Sequence, residues 1–400
     1  MNPHDYPAIL GVGPNLRVGE RLPCDVYDEE GRLLLRRGQR ISSERQLRRL
    51  LHGGRVQQGA RSQARVPATQ GRFAHPGGPA VRRGYPVPEG FSPCERLHAC
   101  AQALQRTHDR IRAGERDFLP RLRQVAERLR RFIDLDADAA LGMAHLSRAY
   151  PEQVLHPLRQ AIVADVVARA SGFSEACRNS LIGAALSADI GMLELRAALD
   201  RQATGLSQAQ RRALTEHPER SAQLLREAGL DDPDWLRAVM EHHERLDGSG
   251  YPHGVGAEAI CEVSGLVMLA DVYVAMVTPR AHRPARTSKE VLRKLFTEAD
   301  QRYPARYAQQ IVRELGIYPP GTVVGLETGE VALVTRRAGK RTQPWVYLLQ
   351  RADGRRQLRA VERNLTEEGV EIRRSYRPED IKVPIPENTA WGYSDMPPSS

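Results

Sequence analysis

The chain has 400 residues, a formal net charge of +10, 41% hydrophobic and 27% charged residues, a balance that excludes wholesale disorder, a collagen-like repeat or a membrane bundle. The longest charge-free runs, such as 179–188 and 316–326, hold ten or eleven residues, against the roughly 20 that a spanning helix needs. The basic excess is almost all arginine, with lysine only at Lys289, Lys294, Lys340 and Lys382, and the aromatics (5%) are not interleaved with it, so it does not read as a stacking platform for nucleic acid.

The first ten residues show no basic region followed by an apolar run, which predicts a cytoplasmic protein. Cys24, Cys94, Cys100, Cys177 and Cys261 form no CxxC pair and read as reduced thiols. Residues 24–28 and 32–35 flank Glu29-Glu30-Gly31 and predict a hairpin. Ser43 with Gln46 offers a capping box for a short helix stopped at Gly53-Gly54, so 1–52 reads as a small β-hairpin and helix module. Residues 53–92 turn to Gly, Pro, Gln, Ala and Arg with almost no large aliphatics, the composition of a flexible linker. From about Pro93 the period is helical: Leu122, Val125, Leu129 and Phe132 recur at three- and four-residue steps, a stripe that reads as a packing surface. Residues 93–149 form a helical lead-in, and helical periodicity continues to about Leu315. Past Gly316 the period becomes that of strands, at 323–326, 330–335 and 345–349, so 316–374 reads as a small β-module and 375–400 as a polar tail.

The strongest chemical signal is Glu241-His242-His243-Glu244-Arg245-Leu246-Asp247-Gly248-Ser249-Gly250-Tyr251-Pro252. Two adjacent imidazoles at a helix end run into a glycine-defined turn. Histidines there can simply cap carbonyls; so can His217, which precedes Pro218, while a solitary Asp271 in an apolar run reads as a buried hydrogen-bond partner. Imidazole nitrogens and carboxylate oxygens of this kind suit iron, manganese or zinc. Glu152 and His156 stand four apart and share a helix face.

This stretch resembles the HHExxDGxGYP signature of the HD-GYP family, a branch of the HD phosphohydrolases. The resemblance covers about 150–315 and includes Ala270-Asp271-Val272-Tyr273; the N-terminal hairpin and the start of the β-module, Tyr318-Pro319-Pro320-Gly321-Thr322, resemble extensions that accompany this domain. It implies a mainly α fold, an HD-type helical bundle with small β-containing modules on its N- and C-terminal sides, and hydrolysis of cyclic di-GMP at two or three metals, which clamp a phosphate. By matching motif, the implied metal ligands are Glu152, His156, Asp189, His217, His242, His243 and Asp271, with Asp189 also catalytic.

The departures are specific. Where the family reads HDIGK, this chain has Ala188-Asp189-Ile190-Gly191-Met192, so an alanine replaces the imidazole ligand and a methionine the lysine. Where a second aspartate and an RPYR-like run usually follow Asp271, it has Val274 and Arg280-Ala281-His282-Arg283. Arg280, Arg283 and Tyr251 are the expected substrate-binding residues, the arginines for phosphates. The expectation is a cytoplasmic protein of bacterial cyclic di-GMP signalling that holds one or two divalent ions, iron or manganese, or has lost them altogether. Its catalysis is impaired, and it acts by binding cyclic di-GMP or a related nucleotide, or a signalling protein through the Gly250-Tyr251-Pro252 loop or the N-terminal module. The alternatives are an active metal-dependent cyclic di-GMP phosphodiesterase and a related HD phosphohydrolase with another substrate. His4, His52, His75, His98, His108, His145 and His253 lie outside the pattern and read as surface or packing residues.

Overall fold

The computed structural model describes residues 92–393 apart from 200, 201, 203, 281, 282 and 339–342, together with residues 19, 26–27, 33–36 and 39–43. They belong to two units, Met1–Ala74 and His75–Ser400. In the first, β1 (Val26–Tyr27) pairs antiparallel with β2 (Leu33–Leu35); the expected capped helix and the linker as far as residue 91 lie outside the described residues.

The second unit starts at Ser92, whose side chain accepts from the Glu95 N–H and caps α1 (Pro93–Arg112). The stripe Leu122, Val125, Leu129 and Phe132 is buried along one side of α2 (Leu119–Leu135), each side chain contributing about 1.5–3 kcal/mol by leaving water. After α3 (Ala137–Leu146) comes α4 (Glu152–Ala170), in which every residue from Val154 to Ala168 is buried. The other helix buried nearly throughout is α9 (Glu262–Val277). Helices apolar on all sides belong in a bundle centre, and the remaining helices surround these two: α5 (Glu175–Ser187), α6 (Leu193–Leu199), α7 (Gln208–Glu227), α8 (Pro233–Glu241), α10 (Ser288–Thr297) and α11 (Ala305–Leu315). Polar groups in this core are paired: Gln160 donates to the Val267 carbonyl between the two central helices, and Asp165 accepts from Arg178. No helix among the described residues is long and apolar enough to cross a membrane.

Five antiparallel strands follow: β3 (Val323–Leu326), β4 (Val331–Arg336), β5 (Trp345–Gln350), β6 (Glu362–Asn364) and β7 (Ile372–Ser375), in spatial order β6-β5-β4-β3-β7. β6 and β7 carry no clear apolar alternation, and the sequence did not signal them. Alternation decides what each face of β3, β4 and β5 covers. Val323, Leu333 and Tyr347 join the helical core, whereas Val324, Val334 and Val346 form a second small core with Leu365 and Val370.

The expected polar tail departs from that reading. Ala390 and Trp391 are buried, the indole N–H donates to the Thr335 carbonyl at 2.9 Å, and the Tyr393 hydroxyl donates to Asp136 at 2.6 Å. The indole lies on α3 at Gly142, where a built Cβ would stand 2.0 Å from a ring carbon, so only glycine fits. Asn388 meanwhile accepts from Ser92 and the Cys94 N–H, tying residues 386–393 to the start of α1. Two aromatic anchors suffice to dock a segment whose average composition is polar.

Candidate metal centre

Asp189 stands where α5 gives way to a 3-10 turn, Ile190–Met192. The turn is clamped to α7. Ser221 accepts from the Gly191 N–H at 2.9 Å and donates to the Ala188 carbonyl at 2.6 Å. A Cβ at Gly191 would come within 2.7 Å of the His217 carbonyl oxygen, so the backbones approach as closely as glycine allows. His217 lies inside α7, and α8, capped by Asp232, ends at Glu241 so that His242 and His243 follow in the turn beyond.

These four residues converge: ligand atoms of Asp189, His217, His242 and His243 lie within 4.8 Å of one another. His217 Nδ1 sits 2.6 Å from the Leu214 carbonyl and His242 Nδ1 2.7 Å from that of Val239. A carbonyl can only accept, so both Nδ1 atoms carry the proton and both Nε2 atoms present lone pairs. Those lone pairs face each other at 3.1 Å and face Asp189 Oδ1 at 3.4 and 3.8 Å. Three electron-rich atoms turned inward repel unless a cation lies among them, and a backbone-held Nδ1–H is the usual support of a metal-ligating imidazole. The donor set therefore fits a divalent ion of the iron, manganese or zinc kind.

Burial would raise the Asp189 carboxyl, but the Arg196 guanidinium, 3.0 Å away, helps to hold it well below the ordinary carboxylate range. Burial and the neighbouring His242 push His243 well down, which keeps that ring neutral.

His156 and Asp271 form the adjoining pair. His156 Nε2 meets Asp271 Oδ1 at 2.8 Å, and Asp271 Oδ2 lies 3.6 Å from His243 Nδ1. Burial opposes ionisation of Asp271, yet the hydrogen bond with His156 outweighs it and lowers its pKa. Glu152 is held differently: both its oxygens accept from Arg159, at 2.9 and 2.7 Å, and it is not among the four convergent residues.

Of the expected substrate-binding residues, Tyr251 stacks on His243 with ring centroids 4.7 Å apart, and its N–H donates to the His243 carbonyl. Arg280 lines a cleft of about 300 Å³ with Met192, Arg196, Leu206 and Leu214. Arg283 pairs through its backbone with Arg280 and donates to the Ala275 carbonyl, and it does not line that cleft. Ala188 and Met192 are both buried. Ser187 does not take the place of the missing imidazole, because its hydroxyl donates to Gly183 and accepts the Trp235 indole N–H at 2.8 Å.

The sequence reading passed over two functional candidates. Glu244, buried inside the signature, accepts from the His253 and Val255 N–H groups and holds the loop after Tyr251; its place between the histidine pair and the glycines was the available signal. Arg196, two helical turns after Asp189, carried no signal. His108 is buried and His145 half-buried, in keeping with the packing role read for them.

An HD domain matches residues 131–306. Over 124 residues the chain is 29% identical to a cyclic di-GMP phosphodiesterase of Pseudomonas aeruginosa, covering 31% of this chain and 30% of that protein. Over 130 residues it is 34% identical to a 3'3'-cGAMP-specific phosphodiesterase of Vibrio cholerae, 32% of this chain and 28% of the relative. Residues 131–306 form an HD domain, and these similarities support membership of the HD-GYP family. A cyclic di-GMP phosphodiesterase response regulator of Xanthomonas campestris is 26% identical over 223 residues, 55% of this chain and 57% of the relative, so the chain spans between about a quarter and three-fifths of these proteins. A solved HD-GYP-type protein from Bdellovibrio bacteriovorus aligns with 74% of this chain and 95% of its own at a TM-score of 0.48 and 16% identity. Within the HD-GYP domain, the alanine and methionine at 188 and 192 border the four-residue cluster.

Proposed function

We propose that this chain is a metal-binding HD-GYP protein of cyclic dinucleotide signalling whose hydrolytic power is impaired. One divalent ion, iron or manganese, is held by Asp189, His217, His242 and His243, with His156 and Asp271 supporting the adjoining side. The reading is carried by the two inward-facing Nε2 atoms beside Asp189, combined with a methyl group and a thioether where an imidazole and an ammonium would complete the site.

When bound, the ion supplies Lewis-acid charge toward a phosphodiester oxygen. The chain's own residues bind and orient the nucleotide: Arg280 and Arg196 bring positive charge to the cleft in front of Asp189, Arg283 fixes the Arg280 turn, and Tyr251 closes over His243. Met192 lines the same cleft but offers neither a proton nor a charge to a developing oxyanion, a loss that costs a site of this kind about 10²–10³ in rate. Cyclic di-GMP or a close relative such as 3'3'-cGAMP is the ligand, and the readout passes to a protein partner through the Gly250-Tyr251-Pro252 loop or the N-terminal module.

The test is elemental analysis of the purified chain, with cyclic di-GMP turnover measured after anaerobic loading with iron or manganese. One metal per chain, lost on Asp189→Ala, with little or no linear product is the expected result. Two metals and rapid turnover would establish a working phosphodiesterase instead, and a metal-free chain after loading would overturn the metal site.

A further inference from the structure

The cleft beside Asp189 is walled mainly by apolar side chains that come from separate stretches of the chain. Met192 belongs to the turn after Asp189, Leu199 to α6, Leu206 to the loop that follows and Leu214 to α7. The three leucines are only half-buried, so their apolar surface meets solvent inside a concavity. An apolar hollow with a few charged groups at its edge is the usual make-up of a small-molecule site. The loop that carries Leu206 is held in place. Gln202 donates to the Gly205 carbonyl at 2.8 Å, Gln210 donates to Gln202 Oε1 at 2.7 Å, and Ser207 and Gln210 form the capping box that starts α7. Arg196 and Arg280 bring two positive charges to the same cleft, and an Arg196 Nη1 to Asp189 Oδ2 distance of 3.0 Å joins it to the metal centre.

A ligand for this cleft must satisfy both kinds of wall. Phosphate or a sugar phosphate would meet the arginines and leave the leucines in water, whereas a planar ring carrying a phosphate covers both. The cleft measures about 300 Å³, the lower end of the range for small-molecule pockets, about 300–1,000 Å³, and so suits one nucleotide unit rather than two. Met192 adds a polarizable thioether, which packs well on an aromatic face, at the position where the family has a lysine.

We propose that this cleft seats one purine nucleotide, with the base against Met192, Leu199, Leu206 and Leu214 and the phosphate at Arg196 and Arg280.

This rests on the cyclic dinucleotide reading above, from which the purine is taken, and deepens it by assigning the place of one half of the ligand. The second nucleotide of a cyclic dinucleotide lies outside the cleft. Replacement of the lysine by Met192 then has two effects at once: it removes charge from the reaction and gives the base a surface to pack on. A site altered in this way holds its ligand while hydrolysing it poorly.

The test is calorimetric titration of the manganese-treated full chain with guanosine monophosphate, guanosine, ribose phosphate and cyclic di-GMP. Guanosine and ribose phosphate are each expected to bind at least about 10-fold more weakly than guanosine monophosphate, which displaces cyclic di-GMP. Leu206→Ser should weaken guanosine monophosphate about 10-fold and leave the affinities for ribose phosphate and manganese unchanged. Leu199→Gln, on another element of the same wall, gives the same comparison should Leu206→Ser not fold. Arg280→Gln should weaken both phosphorylated ligands and leave guanosine as it was. Equal binding of guanosine monophosphate and ribose phosphate, or wild-type affinity for guanosine monophosphate in both leucine variants, would overturn the base seat. Cyclic di-GMP that binds but is not displaced by guanosine monophosphate would also overturn it, while leaving the dinucleotide reading intact. Binding of no ligand in the set would remove both.

Discussion

The two carboxylates of the centre, Asp189 and Asp271, both lie near His243 and are treated oppositely by the fold. Asp271 is closed off: His156 bonds one oxygen at 2.8 Å and His243 lies 3.6 Å from the other, so this half is satisfied by protein groups alone. Asp189 has one oxygen taken by Arg196 and the other turned to two imidazole lone pairs that cannot donate to it. The unmet demand for a cation is therefore concentrated around Asp189, which is also where the sequence has lost its imidazole and its lysine. On the proposed reading, the chain keeps the structure that would hold a metal and lacks the transition-state charge.

The largest effect that would break this contrast is a gain of function. Ala188→His with Met192→Lys should raise cyclic di-GMP turnover by about 100-fold or more in the manganese-loaded protein, read as linear product by chromatography. No gain would mean that the substrate side has also drifted from a productive geometry, with Val274 and the Arg280 turn the first places to look. An intermediate effect sharpens the contrast. Asp271→Ala should leave the buried His156 ring without its partner and lower stability by about 1–3 kcal/mol in chemical denaturation, while reducing manganese affinity far less than Asp189→Ala does. Equal losses of affinity would show that the two halves hold a shared ion.

The smallest effect lies outside the centre. His145 joins the helical bundle to the β-module, with Nδ1 donating to the Pro320 carbonyl at 2.8 Å and Nε2 meeting the Tyr273 hydroxyl at 3.0 Å. Burial is the main cause that pushes this ring down to about 4 from its ordinary 6.5. The unfolded chain therefore takes up a proton first as pH falls. Stability is present above about pH 6.5 and declines towards pH 4, at a limiting slope of about 1 kcal/mol per pH unit. His145→Gln should flatten that slope in denaturation curves recorded across this range and leave manganese affinity unchanged; an unaltered slope would assign the acid sensitivity to other groups.

Much of this was legible along the chain. The α2 stripe, the start of the helices at Pro93 and the three central strands follow from period and from turn residues, because one-sided burial imposes 3.6- or two-residue repetition on local sequence. The convergence of Asp189 with His217 and of His242 with His243 was legible only through the long signature and its ordered partners. Glu152, by contrast, was grouped with the ligands on spacing, and the fold gives its carboxylate to Arg159, seven residues further along the same helix. The C-terminal residues were hidden by averaging: a polar stretch conceals that Trp391 and Tyr393 are enough to dock it.

What the sequence by itself determined about this protein is its class of fold, its family and the loss of two side chains at positions 188 and 192, since these are written in residue identity and order. Tertiary structure alone decided which nitrogen of His217 and of His242 is free and which carboxylate is already satisfied. Those properties depend on directions in space and on exclusion of water. Both arise only when helices far apart in the chain close around the same few atoms.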